Sequence, residues 1–414
     1  MKQLLKKGST IVMIGPGGVG KTTIAAALGL AAAHSGLDTG VITIDPSRRL
    51  RDALGMERLT ARPARLEARR LRAAGLDPTM RLSAMVLDVK RTWDGLVARF
   101  VETAAARKRI LENSFYRNLT KQFAGAEAYA ALEQLYDLHN SGRFDLAIVD
   151  TPPAAHALEF MESPAHLAEL LDSRAARWLF MPYASASTGA LGLASRATRF
   201  VVNQLESFAG VRTLSAVSDF FGAAAGATGA IVERLRKTEA LLRGRNVYFV
   251  LVTTSEQERL REAHELVRRM EREGFTLGAI ILNRTLDERT FKACASEFRR
   301  IPAHLDEISA LRMALGGDDA GECGVNAVVQ YLEEYRTAQL AAIERAARFA
   351  SEIPPRIRLV LLPELEIGVR GLRGLATLAS MLTDAAGGRR FLTKASAAIA
   401  SRGRPERDGR RAAR

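Results

Sequence analysis

Short, largely apolar runs recur along the 414-residue chain, and stretches with helical spacing separate them. Runs that are apolar throughout are typical of parallel strands, which are buried on both faces of a sheet. Their alternation with helices predicts an α/β fold with a doubly wound, mostly parallel sheet. The predicted strands are residues 10–14, 40–44, 146–149, 247–252, 279–282 and 357–361.

Helical periodicity is clearest directly after the first predicted strand, up to about Ser35, and over residues 256–273, which precede Gly274. Two long intervals, 82–141 and 164–243, contain no convincing pair of strands, and we expect several helices in each. The second interval is rich in Ala, Gly, Leu and Phe, which predicts a large helical insertion. Two interpretations of its apolar character stay open: helix packing with dimer contacts, or a groove for an apolar client.

The chain has 60 Lys and Arg residues against 46 Asp and Glu, a net charge of +14. The excess is concentrated in residues 62–72 and in residues 387–414, which we expect to be a basic, disordered tail. Aromatic residues are not interleaved with either cluster, which disfavours nucleic acid as a partner. A solvated basic face is the favoured interpretation, and a nucleic-acid or lipid site is the alternative.

The composition also limits where the protein works. Cys294 and Cys323 are far apart, and neither a disulfide framework nor a C-x-x-C metal site is indicated. The chain has no uninterrupted run of 18 apolar residues, and its short basic start is not typical of a signal peptide. We expect a cytoplasmic protein, with peripheral attachment to the inner membrane face as an alternative.

A glycine-rich loop follows the first predicted strand: residues 15–23 read G-P-G-G-V-G-K-T-T. Between a strand and a helix, this pattern predicts a phosphate-binding loop, because glycines let backbone N–H groups turn toward phosphate oxygens. Lys21 is expected to reach the β- and γ-phosphates, and the Thr22 hydroxyl to ligate Mg²⁺. The predicted nucleotide-binding residues of the loop are Gly15, Gly17, Gly18, Val19, Gly20, Lys21, Thr22 and Thr23.

Two carboxylates follow predicted strands, Asp45 after the second and Asp150 after the third. In an open α/β sheet the active site lies at these strand ends. A nucleotide hydrolase needs one carboxylate near Mg²⁺, usually through water, and a group that orients the attacking water. We assign the Mg²⁺ role to Asp150 and the water-orienting role to Asp45. Asp45 and Lys21 would be the catalytic residues. Both aspartates also fit turns or helix caps, so that alternative stays open.

With these motifs the chain resembles the ArsA family of anion-transporting-type ATPases, in particular single-domain bacterial members of the deviant Walker A class. Asp45-Pro46 matches the family's Switch I motif, and residues 150–156 (D-T-P-P-A-A-H) resemble Switch II. Asn283 resembles the residue that recognises adenine, and Pro363 and Glu364 resemble a later loop that borders the base. The similarity extends from Ser9 to Met381.

The resemblance implies a P-loop NTPase fold, an ATPase domain over residues 1–386 and the tail beyond it. It also implies Mg²⁺ and ATP as ligands, and hydrolysis that switches a dimer between conformations. The dimer would be a homodimer or a heterodimer with a related ATPase subunit. His156 is interpreted either as a relay between nucleotide and insertion or as a packed or capping residue.

The chain departs from the family pattern at Pro16, where the deviant loop usually has a lysine that reaches the partner subunit's phosphates. Arg48 or Arg49 is the candidate replacement for that charge. The chain also lacks the shared-zinc C-x-x-C pair and a cysteine cluster for arsenite, which makes arsenite pumping the least favoured function. Two other functions stay open: a targeting or chaperone-like factor for hydrophobic membrane-protein segments, and a positioning ATPase of the MinD or ParA kind.

Overall fold

The structure is a computed structural model that describes residues 1–45, 48–122, 124–151, 216, 219–220, 222–292, 294, 319–365, 371–384 and 387–402. The described strands form one eight-stranded sheet. They are β1 (Ser9–Ile14), β2 (Thr39–Thr43), β3 (Ala64–Arg65), β4 (Leu82–Val86), β5 (Leu146–Asp150), β6 (Val247–Thr253), β7 (Leu277–Thr285) and β8 (Arg358–Pro363).

The strand order is β3-β4-β2-β5-β1-β6-β7-β8, and every pair except β3–β4 is parallel. The parallel register aligns Met13 of β1 with Asp150 of β5, and Thr43 of β2 also pairs with Asp150. The carboxyl ends of β1, β2 and β5 therefore meet at one edge of the sheet, which is where the predicted site residues follow. The predicted α/β fold with a mostly parallel sheet is confirmed.

Helices cover both faces of the sheet. They are α1 (Lys21–His34), α2 (Arg49–Ala53), α3 (Ala68–Ala73), α4 (Val89–Phe100), α5 (Ala104–Glu112), α6 (Ser114–Gln122), α7 (Ala124–Ser141), α8 (Thr228–Leu242), α9 (Gln257–Arg272), α10 (Glu288–Lys292), α11 (Asp319–Glu352), α12 (Gly371–Asp384) and α13 (Gly388–Arg402). Short 3₁₀ turns occur at Lys2–Leu4 and Ala225–Ala227. Within the described ranges, no helix is long and apolar enough to cross a membrane.

The two faces of β1 bury different cores, because side chains alternate along a strand. Ile11 and Met13 pack with α1, α2 and α12, whereas Val12 and Ile14 pack with α7, α9 and α11. All six β1 residues are buried. This two-sided burial explains why the strands are continuous apolar runs in the sequence.

Strand β4 corrects the prediction that residues 82–141 form several helices, with no convincing pair of strands. Its sequence is L-S-A-M-V, and Ser83 and Ala84 weaken the apolar and β-branched signal that identifies a strand. The strand pairs in parallel with β2 along its whole length, so tertiary pairing rather than local propensity fixes it. The remainder of that interval forms α4 to α7, as the periodicity predicts.

Helix α13 corrects the expectation that a disordered tail begins at residue 387. Leu392 and Ala395 are buried in the core that contains α11. Arg389 donates to the carbonyls of Pro354 and Ile357 at 2.7 and 3.2 Å, which ties α13 to the segment before β8. The sequence of this helix contains several basic residues, and they make its apolar helical spacing hard to recognise. Residues 403–414, and residues 164–215 of the predicted insertion, lie outside the described residues; the end of that insertion forms α8.

Candidate functional site

The loop between β1 and α1 can form only with glycine at two of its positions. Gly15 has φ +141°, and a Cβ there would lie 2.0 Å from the carbonyl oxygen of Val252 on β6. Gly20 has φ +96°, and a Cβ there would lie 2.6 Å from Nδ2 of Asn283 on β7. The loop therefore lies tightly against the ends of β6 and β7, which occupy the space that side chains at these two positions would need.

The lysine of the loop folds back over it. Lys21, the first residue of α1, is buried, and its Nζ donates to the carbonyls of Gly15 and Pro16 at 2.9 Å each. Burial lowers the pKa of Lys21 to about 8, while the Asp150 carboxylate opposes this shift. Gly17, Gly18 and Val19 complete the loop before α1, with Val19 buried, and Thr23 lies in the first turn of α1.

Asp150, the last residue of β5, is only 1% exposed. The Thr43 hydroxyl donates to its Oδ2 at 3.0 Å, whereas its Oδ1 has no hydrogen-bond partner among the described residues. Burial raises the pKa of Asp150 to about 6, and the neighbouring Thr22 and Thr43 hydroxyls and the charge of Lys21 oppose the shift. A buried carboxylate oxygen left unpaired is costly, so it marks a position where a ligand is expected.

The residues around Asp150 fit Mg²⁺. This ion prefers oxygen ligands and is usually held by one or two carboxylates together with phosphate oxygens and water. The Thr22 hydroxyl and the unpaired Asp150 oxygen supply that donor set on two adjacent elements, α1 and β5. Within the described part of the chain, no cluster of three His, Cys, Asp or Glu side chains provides an all-protein metal site.

Asp45 follows β2 at the same edge of the sheet, two residues beyond the Thr43 that pairs with Asp150. Its side chain is 35% exposed, and Arg49 Nη1 lies 3.9 Å from its Oδ2. A half-open carboxylate at this position can accept a hydrogen bond from water, which suits the predicted water-orienting role. Pro46, the second residue of the predicted Switch I motif, lies outside the described residues.

The predicted Switch II segment begins at Asp150, and its first step is fixed. The Thr151 hydroxyl donates to the carbonyl oxygen of Met13 at 2.6 Å, which ties the end of β5 to β1. The following residues of the motif, including His156, lie outside the described residues. The connection from this segment to the predicted insertion therefore stays a prediction.

The residues predicted to border the base lie on the β7–β8 side of the loop. Asn283 Nδ2 donates to the Val19 carbonyl at 2.8 Å, so this side chain contacts the phosphate loop itself. Arg284, directly after it, has φ +55°, and the β7–β8 register shifts there. Pro363 ends β8, and the exposed Glu364 donates its backbone N–H to the Thr285 carbonyl at 3.1 Å. The structure thus brings these residues to neighbouring strand ends.

Two arginines lie near the phosphate loop, and only one of them was predicted. The charges of Arg49 and Arg259 both lower the pKa of Lys21, although burial is the larger cause. Arg259 is in the first turn of α9, and its carbonyl accepts a hydrogen bond from Thr253 at 3.0 Å. In the sequence it is one charged residue of an amphipathic helix. Only the position of β6 beside β1 brings it to the loop.

Comparison with known families agrees with this geometry. A family model described as Anion-transporting ATPase matches residues 9–309. That range contains the loop, both aspartates and Asn283. Pro363 and Glu364 lie beyond it.

Similar proteins come from distant organisms. An ATPase ASNA1 homolog of Babesia bovis is 28% identical over 48% of this chain and 49% of its own length. An arsenical pump-driving ATPase of Acidiphilium multivorum is 28% identical over 37% of this chain and 22% of its own. ATPase GET3 of Kluyveromyces lactis is 26% identical over 72% of this chain and 79% of its own. The chain thus matches half or less of the first two proteins and most of the third.

Proposed function

The chain belongs to the family of anion-transporting ATPases, and we propose that it hydrolyses ATP at the site formed by loop 15–23 and the neighbouring strand ends. The observation that carries the proposal is the pair of buried charged groups, Lys21 and Asp150, at the carboxyl edge of the sheet. Burial disfavours the charged form of each group. The attraction between the two groups opposes this effect without cancelling it, and a phosphate chain with its cation would supply further opposite charge to each.

Binding begins with the loop. The backbone N–H groups of Gly17 to Thr22 and the start of α1 favour an anion at this position. Lys21 would exchange the Gly15 and Pro16 carbonyls for phosphate oxygens, which are stronger acceptors because they are charged. Asn283 and the loop at Pro363 and Glu364 would border the base, since they lie on the β7–β8 side of the phosphates.

Thr22 and Asp150 would hold Mg²⁺, Asp150 through water. The ion, when bound, neutralises the charge that develops on the β- and γ-phosphate oxygens. Thr43 keeps the Asp150 carboxylate in a fixed orientation through its hydrogen bond to Oδ2. This leaves Oδ1 directed to the water or ion of the site.

Asp45 would accept a hydrogen bond from the attacking water and hold it in line with the γ-phosphate. Hydrolysis of a phosphoanhydride depends mainly on such positioning and on charge stabilisation. Arg49, which lies beside Asp45, and Arg259 would add positive charge near the γ-phosphate. Either arginine could supply the charge of the lysine that the family usually has at the position of Pro16.

We also infer that the active form is a dimer, of two copies or with a related subunit, because each chain carries a single phosphate loop. Sedimentation with and without Mg²⁺ and ATP tests this point. A mass that doubles with nucleotide supports the dimer, and a monomer under both conditions contradicts it. Arsenite as a transported species is not proposed, because the described thiol, Cys294, is buried and burial raises its pKa.

The ATPase proposal is tested by the release of phosphate from ATP by the purified chain, with and without Mg²⁺. We expect turnover in the wild type, loss of ATP binding in Lys21→Ala, and loss of turnover with ATP binding retained in Asp45→Asn. ATP binding without turnover in the wild type would indicate a missing partner. Absence of ATP binding in the wild type contradicts the proposal.

A further inference from the structure

A second concave site lies between α4 and α7, away from the phosphate loop. It is a cleft of about 380 Å³, closed on its third side by residues 61–63 and by Met85 of β4. Neither the loop nor the aspartates of the nucleotide site line it. Its volume lies in the range of small-molecule sites, roughly 300–1,000 Å³.

The inner wall of the cleft carries acidic side chains whose charge is already neutralised. Glu133, which is 2% exposed, accepts hydrogen bonds from Arg234 at 2.6 to 3.0 Å and from Arg99 at 3.2 Å. Arg99 also makes two bonds to the Asp137 carboxylate, at 3.0 and 3.1 Å. Two carboxylates and two guanidiniums therefore cancel, and this wall has no net charge.

The mouth of the cleft, in contrast, carries three exposed arginines: Arg62, Arg91 and Arg143. Among the side chains that the structure describes, no carboxylate lies within ion-pair distance of any of them. The remaining acid of the cleft, Asp88, accepts a hydrogen bond from the Arg91 backbone N–H as the cap of α4. Three positive charges against one negative charge leave an excess of two at the mouth.

Within the basic segment 62–72, Arg62 differs from the other arginines in its position in the cleft. Arg69 and Arg70 pair with Glu57 and Glu67, at distances of up to 3.9 Å. Arg62 instead lines the cleft with Arg91 of α4 and with Arg143, two residues beyond the end of α7. These three come from separate parts of the chain, so the fold, and not local sequence, brings them together.

We propose that this cleft binds a small organic dianion, a phosphate monoester, with its phosphate held by Arg62, Arg91 and Arg143. Guanidinium groups suit this ligand because their planar N–H pairs match phosphate oxygens and keep their charge at any physiological pH. Thr92 and Gln134, which also line the cleft, supply hydrogen bonds for the organic part. The excess of two positive charges matches the charge of a monoester near neutral pH.

Calorimetric titration of the full chain with glycerol 3-phosphate tests the proposal. The titration is repeated in Lys21→Ala, so that phosphate bound at the loop is separated from phosphate bound in the cleft. Binding that persists in Lys21→Ala is expected. It should weaken about tenfold or more when Arg62, Arg91 or Arg143 is replaced by Gln, because each charge-assisted bond is lost.

Arg65→Gln and Arg72→Gln are the matched controls, since both arginines are exposed in the same basic segment and neither lines the cleft. Unchanged affinity in these controls supports a specific site, and equal weakening in them overturns it. Glycerol that binds as well as its phosphate, or inorganic phosphate that binds as well as the ester, also overturns the proposal. Binding confined to an acidic peptide would assign the cleft to a protein partner instead. Thermal unfolding of each variant verifies that it is folded.

Discussion

Two buried carboxylates, Asp150 at the phosphate loop and Glu133 between α4, α7 and α8, have opposite surroundings. Their exposures are nearly equal, at 1% and 2%. Both oxygens of Glu133 accept hydrogen bonds from Arg234, and Arg99 adds another. Asp150 has one oxygen bonded to Thr43 and the other without a partner among the described residues.

The difference separates a structural ion pair from a ligand site. Arg234 is stacked over the Tyr136 ring at 3.6 Å and joins α8 to α7. Its charge is neutralised by the carboxylates of Glu133 and Asp137. The Asp150 environment is left incomplete, and among the residues that the structure describes Lys21 donates its side-chain hydrogen bonds to backbone carbonyls alone. A buried charge that the protein does not neutralise is expected to gain its partner from a bound ligand.

The largest effect on stability is expected at Glu133, the buried carboxylate whose two oxygens are both hydrogen-bonded. Glu133→Ala leaves the half-exposed Asp137 as the only remaining counter-charge that the described residues offer to Arg234 and Arg99. It should lower the free energy of unfolding by about 3 kcal/mol, because it breaks a buried ion pair. Urea unfolding measures this change. The control is Glu233→Ala, which removes an exposed pair with Lys237 and should barely change stability. A small effect at Glu133 would mean that the two carboxylates do not differ as described.

The second prediction concerns stability and ATP binding after a substitution in loop 15–23, which lies beside Asp150. Gly15→Ala places a Cβ against the Val252 carbonyl at a φ that only glycine favours, and should cost about 2–3 kcal/mol and abolish ATP binding. Gly18→Ala is the matched control, because Gly18 also has a positive φ but no atom within 4 Å of the added carbon. It should retain ATP binding with a smaller loss of stability. Equal effects in the two variants would show that close packing against β6 is unimportant.

A smaller effect is expected from the cations near Lys21. Arg49→Ala and Arg259→Gln should each lower ATP turnover roughly tenfold while ATP still binds, because each removes one charge near the γ-phosphate. Arg48→Ala is the comparison, since Arg48 precedes α2 whereas Arg49 approaches Asp45. Steady-state phosphate release measures all three. Unchanged turnover in both Arg49→Ala and Arg259→Gln excludes them as replacements for the missing lysine.

The last effect is a pH dependence of the free protein. Because the pKa of Asp150 is raised to about 6, the folded state binds its proton more tightly than the unfolded state. Its contribution to stability is therefore present at low pH and is lost as pH rises between 3.8 and about 6. Urea unfolding without nucleotide and with a metal chelator should show this decline in the wild type, and Asp150→Asn should remove it. Identical pH profiles would place the Asp150 shift in doubt.

Much of the candidate site can be predicted from the sequence because its chemistry lies on strand ends. The loop residues are contiguous, and Asp45 and Asp150 come at the ends of short apolar runs that are typical of buried strands. Parallel pairing then brings them to one edge. Strand β4 could not be predicted in this way, since its pairing with β2 outweighs a weak local signal.

Other features could not be predicted because they depend on contacts between residues that are far apart in the sequence. Arg259 approaches the loop only because β6 lies beside β1. The three arginines of the cleft come from three separate segments, and which arginines are neutralised is a property of the packed structure. Helix α13 was not predicted because its segment is strongly basic, although Leu392 and Ala395 have the spacing of a buried helical face.

The most direct test of the account is the Mg²⁺ dependence of ATP turnover in the wild type, in Asp150→Asn and in Glu133→Gln. The account predicts Mg²⁺-dependent turnover in the wild type and in folded Glu133→Gln. It predicts a loss of about 100-fold or more in Asp150→Asn, without loss of stability. Turnover and Mg²⁺ dependence in Asp150→Asn equal to those of the wild type would contradict the claim that this unpaired, buried carboxylate marks the catalytic site.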